Sequence, residues 1–289
     1  MEIVLGVWVV GALGGTAAGL VGIGGGIILF PLLAYGLPAL GLPALSVRTI
    51  TGLTIVQALA AGGAGLAVHR KRRTVSTHLV VCMGSGSIIG SFLGGYLSRY
   101  LGQEALNLIF AALALSAATA MIIPVREISN ETKEHLEERR GAETAPTAGV
   151  PHSVVDKRGP TSPLDSNPKF NRKLAFATAL VLGLATGTVG QGGSFILIPV
   201  MIRLLKIPTR VSMGSNLGIV LLAALGGFTG KLVTGQIDWS LAGALVAGAL
   251  PGGRLGAVWA GTVPTESLRN LFAALVGLAA GSLLIKAVF

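Results

Sequence analysis

The sequence predicts an all-α integral membrane protein built from two inverted repeats, each a glycine-broken helical hairpin followed by three transmembrane helices. Three observations lead there: an apolar composition, a duplicated glycine-rich stretch, and an uneven distribution of Lys and Arg. Of the 289 residues, 52% are hydrophobic and 12% charged, with a mean hydropathy of +0.75. Soluble domains carry roughly a quarter charged residues, so this chain belongs in a bilayer. The 43 glycines have no collagen-like period and sit inside apolar runs, where they serve helix packing and helix breaking. The net charge of +10 comes largely from short basic stretches between apolar runs, which is an orientation signal and not a nucleic-acid surface.

The organising stretch is Gly19-Leu-Val-Gly-Ile-Gly-Gly-Gly-Ile-Ile-Leu-Phe-Pro31, which returns as Gly187-Thr-Val-Gly-Gln-Gly-Gly-Ser-Phe-Ile-Leu-Ile-Pro199 with glycines and proline in register. Each copy lies in an apolar run too long for one straight crossing. Residues 3 to 35 would make a helix of about 50 Å, against a hydrocarbon core of roughly 30 Å. The run must therefore break, and the glycines are where helix is held least firmly. Opened backbone at membrane depth is tolerated only when buried in protein or lining a polar cavity. Two such breaks at matching places in two halves point to a transporter's binding site. A lone copy would read almost as well as a small-xxx-small packing face.

Three parts follow along the chain: a first membrane repeat over 1–124, a charged, Pro-rich cytoplasmic linker over 125–172, and a second membrane repeat over 173–289. After the first broken run, apolar segments cover about 49–68, 76–98 and 105–124, each long enough to span. The first stops at His69-Arg-Lys-Arg-Arg73. In the linker, Glu127 to Arg140 suits a short charged helix, and Ala142 to Pro168 a disordered tether. Met1-Glu-Ile-Val lacks a basic leader region, so the first apolar run is expected to stay in the mature protein. The one cysteine, Cys82, excludes an intramolecular disulfide and reads as a small core residue.

The second half repeats the first nearly throughout. Thr51-Gly-Leu53 matches Ser215-Asn-Leu217, and Gly62-Gly63 matches Gly226-Gly227. Gly86, Gly90 and Gly94 match Gly248, Gly252 and Gly256, while Glu104, Leu106 and Phe110 match Glu266, Leu268 and Phe272. If each broken run returns to its own side, the halves are inverted with both termini outside. Arg70 to Arg73, the linker, Arg203, Lys206, Arg210 and Arg269 are then all cytoplasmic, leaving Arg48, Arg99, Lys231 and Lys286 outside. Parallel repeats with full crossings divide the charges less well, so the positive-inside rule prefers inversion.

No nucleophile, base and orienting group occur together, and no His or carboxylate cluster has metal-ligand spacing, so neither catalysis nor a metal or other cofactor is expected. What the apolar segments hold instead are glycine breaks, hydroxyls, amides and one arginine. Gln191 and Ser194 lie at a break, and Thr49, Thr51, Ser215 and Asn216 on the helices that follow. Half-helix N-termini expose N–H groups with partial positive charge, which favours an anion. Backbone near Gly24, Gly25, Gly26, Gly192 and Gly193 is the expected cradle. Arg254, in Leu250-Pro-Gly-Gly-Arg-Leu-Gly256, reads as the only charge well inside a segment; it is either a substrate ligand or a snorkelling side chain. Pro31 and Pro199, at one distance from the glycines, are read as fixing each second half-helix.

These motifs, Gly-x-Gly-Gly-Gly with Pro31, Gly-x-Gly-Gly-Ser with Pro199, the Thr51 and Ser215 stretches and Gly90-Ser-Phe-Leu-Gly94, resemble the sulfite exporter TauE/SafE family of bacterial membrane permeases. The resemblance covers both halves. It implies a multi-pass permease of the cell (inner) membrane, whose partners are the lipid bilayer and a small sulfur-containing anion such as sulfite or an organosulfonate, with efflux the expected direction. An anion channel, or an importer of another small organic anion, is the competing expectation. The long linker and Arg254, at a position expected to be apolar, depart from the family's pattern.

Overall fold

A computed structural model of the chain describes residues 1–21, 26–69, 76–122, 170–190, 194–207 and 209–259. All regular structure among them is helical. The first half contains α1 (Glu2–Val21), α2 (Gly26–Pro31), a π-helical turn (Leu32–Gly36), α3 (Leu37–Ala39), α4 (Val47–His69), α5 (Thr77–Leu97) with a closing 3-10 turn, and α6 (Gln103–Ile122). The second contains α7 (Arg172–Val189), α8 (Ser194–Arg203), α9 (Thr209–Val233) and α10 (Trp239–Trp259). The three apolar segments after the first run are helical, as α4, α5 and α6. Residues 125–169 of the linker, and the matching Glu266, Leu268 and Phe272, lie outside the described residues.

Helix boundaries follow local chemistry. Asn171 caps α7, its side-chain oxygen accepting from the N–H groups of Lys173 and Leu174, and Asp238 caps α10 through Ser240 and Leu241. Pro31 has no N–H to give the helix, and the backbone widens into the π-turn directly after it. Stacking of Phe30 on Phe110, with centroids 4.0 Å apart, fastens this segment to α6.

Among the described residues, two helices are long and apolar enough to cross a membrane by length and composition, Thr77–Tyr100 and Arg172–Val189. Large apolar side chains cover the outside of the bundle: Leu5, Leu13, Val81, Leu108, Val181 and Leu225 are all exposed. A lipid-facing surface looks like this, whereas water would leave such a covering unpartnered.

Glycines set the contacts between halves. A Cβ on Gly86, Gly90 or Gly94 of α5 would run into the carbonyl oxygens of Phe176, Leu180 and Leu184 of α7, in ascending order. From the other side, Gly183 and Gly187 meet the carbonyls of Ser87 and Ser91. The pair α1 and α10 repeats the arrangement: Gly248 and Gly252 face the Trp8 and Ala12 carbonyls, while Gly11 and Gly15 face those of Leu245 and Ala249. Each half's first helix therefore lies along the second helix after the hairpin of the other half, in the same direction. Ser91 Oγ adds a hydrogen bond to Gly183 O at 3.1 Å. Helix α9 also runs with α5, since Gly84 meets Leu222, Gly226 meets Ile88 O and Gly230 meets Phe92 O. The central pair α4 and α9 is antiparallel: Gly52 abuts Gln236 O, Ile55 abuts Gly227, and Ala58 packs with Ala224.

Gly90→Ala should therefore separate α5 from α7 and lower stability by about 1–3 kcal/mol, the usual result of overpacking. Gly243→Ala, where an added Cβ meets nothing within 4 Å, should be neutral or stabilising by up to about 1 kcal/mol. Thermal unfolding of the two purified variants in detergent checks the contrast.

Candidate functional site

The described helices flank the glycine runs, and the end of α7 is described at Gly190. Helix α1 ends at Val21 and α2 begins at Gly26, while α7 ends at Val189 and α8 begins at Ser194. Gly190 closes α7 in the left-handed conformation, φ 77°, and donates its N–H to Thr186 O at 2.8 Å. Gly24, Gly25, Gln191, Gly192 and Gly193 lie outside the described residues; Gly26 is buried at the start of α2.

Around Gly190 the two halves meet. Thr51 and Thr54 of α4 are fully buried there. Thr54 Oγ1 lies 3.1 Å from Thr51 O and 3.2 Å from Val189 O, the last helical carbonyl of α7. A Cβ on Gly190 would overlap the Thr51 carbonyl oxygen, so only glycine lets α4 come this close. Thr51, predicted from sequence as a site residue, thus stands beside the second half's break.

The largest polar feature of this region is one that the sequence reading placed in an outer loop. Lys231 of α9 is 0% exposed. Its ammonium donates to Thr51 Oγ1 at 3.0 Å, Ser98 Oγ at 3.1 Å, Thr188 O at 3.1 Å and Gln236 Oε1 at 3.3 Å. All four acceptors are neutral. Gln236 is itself held, donating through Nε2 to Gly95 O at 3.1 Å, and Ser98 Oγ lies 2.7 Å from the same carbonyl. The expectation that Arg254 is the only charge well inside a segment is corrected here. Lys231 is the buried cation, and Arg254 is exposed on α10.

The remaining sequence-predicted residues divide. Thr49 is half-buried at the start of α4, bonded to Ser46. Ser215 and Asn216 are buried on α9, with Ser215 Oγ accepting from Ser76 N at 3.0 Å. The Asn216 carbonyl oxygen and both polar atoms of the Gln57 side chain are buried without a hydrogen-bond partner among the described residues. Gln57, which the sequence reading did not single out, lies close to Gly14 and hence to the first broken run. Thr51 and Lys231 meet each other; Ser215 lies well over ten residues before Lys231 along α9 and so far from it. Among the described residues no group of His, Cys, Asp or Glu has metal-holding geometry.

Gly190 and Gly41 share one backbone conformation, with φ values of 77° and 76°, but Gly41 has open space where a Cβ would stand. Gly41→Ala should lose only the left-handed strain of about 1–2 kcal/mol. Gly190→Ala should lose about 1–3 kcal/mol more from its overlap with Thr51. Denaturation of the two variants side by side measures the difference.

The comparisons with known proteins point to a membrane transporter. The chain is 23% identical over 239 residues to the "Probable membrane transporter protein YunE" of Bacillus subtilis (strain 168), covering 81% of this chain and 80% of that one. It is 28% identical over 238 residues to a "Probable membrane transporter protein" of Xylella fastidiosa (strain 9a5c), covering 80% and 75%. A Haemophilus influenzae protein of the same description is 30% identical over 125 residues, 43% of this chain and 47% of that one. No solved structure matches significantly. The family described as sulfite exporter TauE/SafE matches residues 7–283, nearly the entire chain, and the protein belongs to that family of membrane transporters.

Proposed function

We propose that this transporter moves small sulfur-containing anions, such as sulfite or organosulfonates, out across the cell membrane. The observation that carries the reading is the meeting of both halves at the end of α7, where Gly190 leaves the helix against buried Thr51 and Thr54 of the other half. A helix break lined by neutral hydroxyls suits an anion that must bind and then leave. In this reading the substrate lies between the two breaks. Backbone N–H groups near Gly24, Gly25, Gly26, Gly192 and Gly193 line its path, with Gln191, Ser194, Thr49 and Thr51 as neutral donors toward the Lys231 end, Ser215 and Asn216 as donors toward the opposite end, and Arg254 at the edge of the path. The unpartnered Gln57 and Asn216 amides supply further polar atoms of the kind that a ligand can satisfy.

The same reading takes the chain as two inverted repeats, each with a returning hairpin and three spans. The antiparallel packing of the equivalent helices α4 and α9 supports it, because parallel repeats would align them. So does the common direction of α5, α7 and α9, which requires the short α8 to come back toward the end where α7 starts. Arg48 and Arg99 stand together at the Lys231 end, with Arg48 donating to Arg99 O at 3.1 Å, and that end is then the outer one.

Efflux of an anion needs no coupled ion. Inside-negative potential favours it by about 2.3 kcal/mol per charge per 100 mV, and about 1.4 kcal/mol is a tenfold gradient. In proteoliposomes loaded with sulfite or methanesulfonate, an inside-negative potassium diffusion potential should speed efflux through protein in its cellular orientation. A rate indifferent to that potential but stopped by collapsing a proton gradient overturns the uniport mechanism. Gly25→Leu and Gly193→Leu should each abolish transport in a protein that still folds, and normal transport by both would remove the substrate from the breaks. A channel differs by showing no counterflow. Impermeant thiol labelling of Arg203→Cys or Lys206→Cys in intact cells should fail, and success would reverse the orientation.

A further inference from the structure

We propose that Lys231 is the fixed positive charge that selects an anion beside the end of α7, parked on neutral oxygens when no substrate is bound. The proposal rests on the transport reading above and names the residue that supplies its charge selectivity.

An ammonium withdrawn from water is normally met by a carboxylate. Here its acceptors are two hydroxyls, one backbone carbonyl and one side-chain amide, so among the described residues its charge has no counter-ion. An ammonium has three N–H bonds, whereas four oxygens stand within 3.3 Å, so one acceptor is always in surplus and can be released without orphaning a proton. This distinguishes the cage from a structural lock. A carboxylate would hold the ammonium and cancel its field, but neutral oxygens hold it and leave the field available to a mobile anion.

Position supports the same conclusion. Thr188 O, one of the four acceptors, lies two residues before Gly190, where the backbone leaves α7. Across the break begins the ten-residue helix α8, whose N-terminus contributes partial positive charge of the same sign. The cage also draws on both halves: Thr51 and Ser98 belong to the first, Thr188 and Gln236 to the second. An anion that takes the ammonium out of its cage therefore also loosens a contact between the halves, which is what a carrier needs when it changes the side it faces.

The test uses the full-length protein in proteoliposomes, with sulfite, methanesulfonate and sulfate as probes. Lys231→Met should still fold with a modest change in thermal stability, because removal of a buried charge opposes the loss of its bonds to four oxygens. It should raise KM for the transported anion about 100-fold, and Lys231→Arg, which keeps the charge, should recover most of that loss. A folded Met variant with unchanged KM overturns the proposal and leaves the transport reading intact. A second measurement does not depend on the Met variant: in wild-type protein carrying 15Nζ-labelled lysine, the Lys231 resonance, assigned by its loss in Lys231→Arg, should shift on addition of a transported anion. If the wild type carries none of the three probes, the transport reading fails, and the same titration still decides the Lys231 site. A shift supports it, and no shift with any probe overturns it.

Discussion

Close backbone approach through glycine is the constraint on which this structure depends. Between helices in lipid there is no hydrophobic driving force, because the surrounding tails are as apolar as the side chains. What remains is dispersion at short range, and that requires small residues at the contact. The pairs α5 with α7 and α1 with α10 meet this requirement in the same way, with glycine against the partner's carbonyl oxygens at successive turns. Each pair joins one half to the other. Neither half can therefore assemble its own break alone: the end of α7 is completed by α4 of the first half, just as α5 of the first half is completed by α7.

This exchange between halves explains why the polar residues gather where they do. Thr51 follows the first break in sequence but stands at the second in space, held there by the Gly52 and Gly190 contacts. Lys231 arrives from the other direction, on a helix antiparallel to α4, so that residues near the start of one reach residues near the end of the other. The cage around its ammonium is a product of the duplication. It needs a hydroxyl from each side of α4 and α5 and a carbonyl that only a broken helix leaves free.

The helices and the end of α7 at Gly190 were legible because each leaves a periodic or compositional mark. The apolar runs delimit α4, α5 and α6 to within about two residues, the ordinary uncertainty of helix ends. Gly190 could be read as a break because a duplicated glycine followed at a fixed distance by proline has few other uses. Lys231 was not legible. In Gly230-Lys-Leu-Val-Thr-Gly235 it follows an apolar run and precedes a turn, which is the pattern of a loop charge, and its burial depends on the partner half lying across it. The usable signal was Gly226-Gly227-x-x-Gly230, a face so free of side chains that another helix had to cover it and the lysine beside it. Arg254 misled for the opposite reason. It sits mid-segment in sequence, yet the glycines around it turn toward α1 and leave the arginine outward.

Placing the fixed charge at one end of the bundle also has a mechanistic consequence. A cation at the bilayer centre is costly on its own helix, about 2.5–3.5 kcal/mol on insertion scales, whereas near a helix end that cost falls and a neutral cage can offset it. Lys231 stands two residues before the end of α9, beside the end of α7, and its cage is at that level. The ammonium is therefore held by several neutral bonds of ordinary strength, each worth only about 1.5–3 kcal/mol net when the donor is charged. An arriving anion can match one of them and exceed it by its charge. A carboxylate in the same place would raise that barrier and remove the reason for the anion to come, so the neutral shell around Lys231 fits release and re-formation of the cage in every transport cycle.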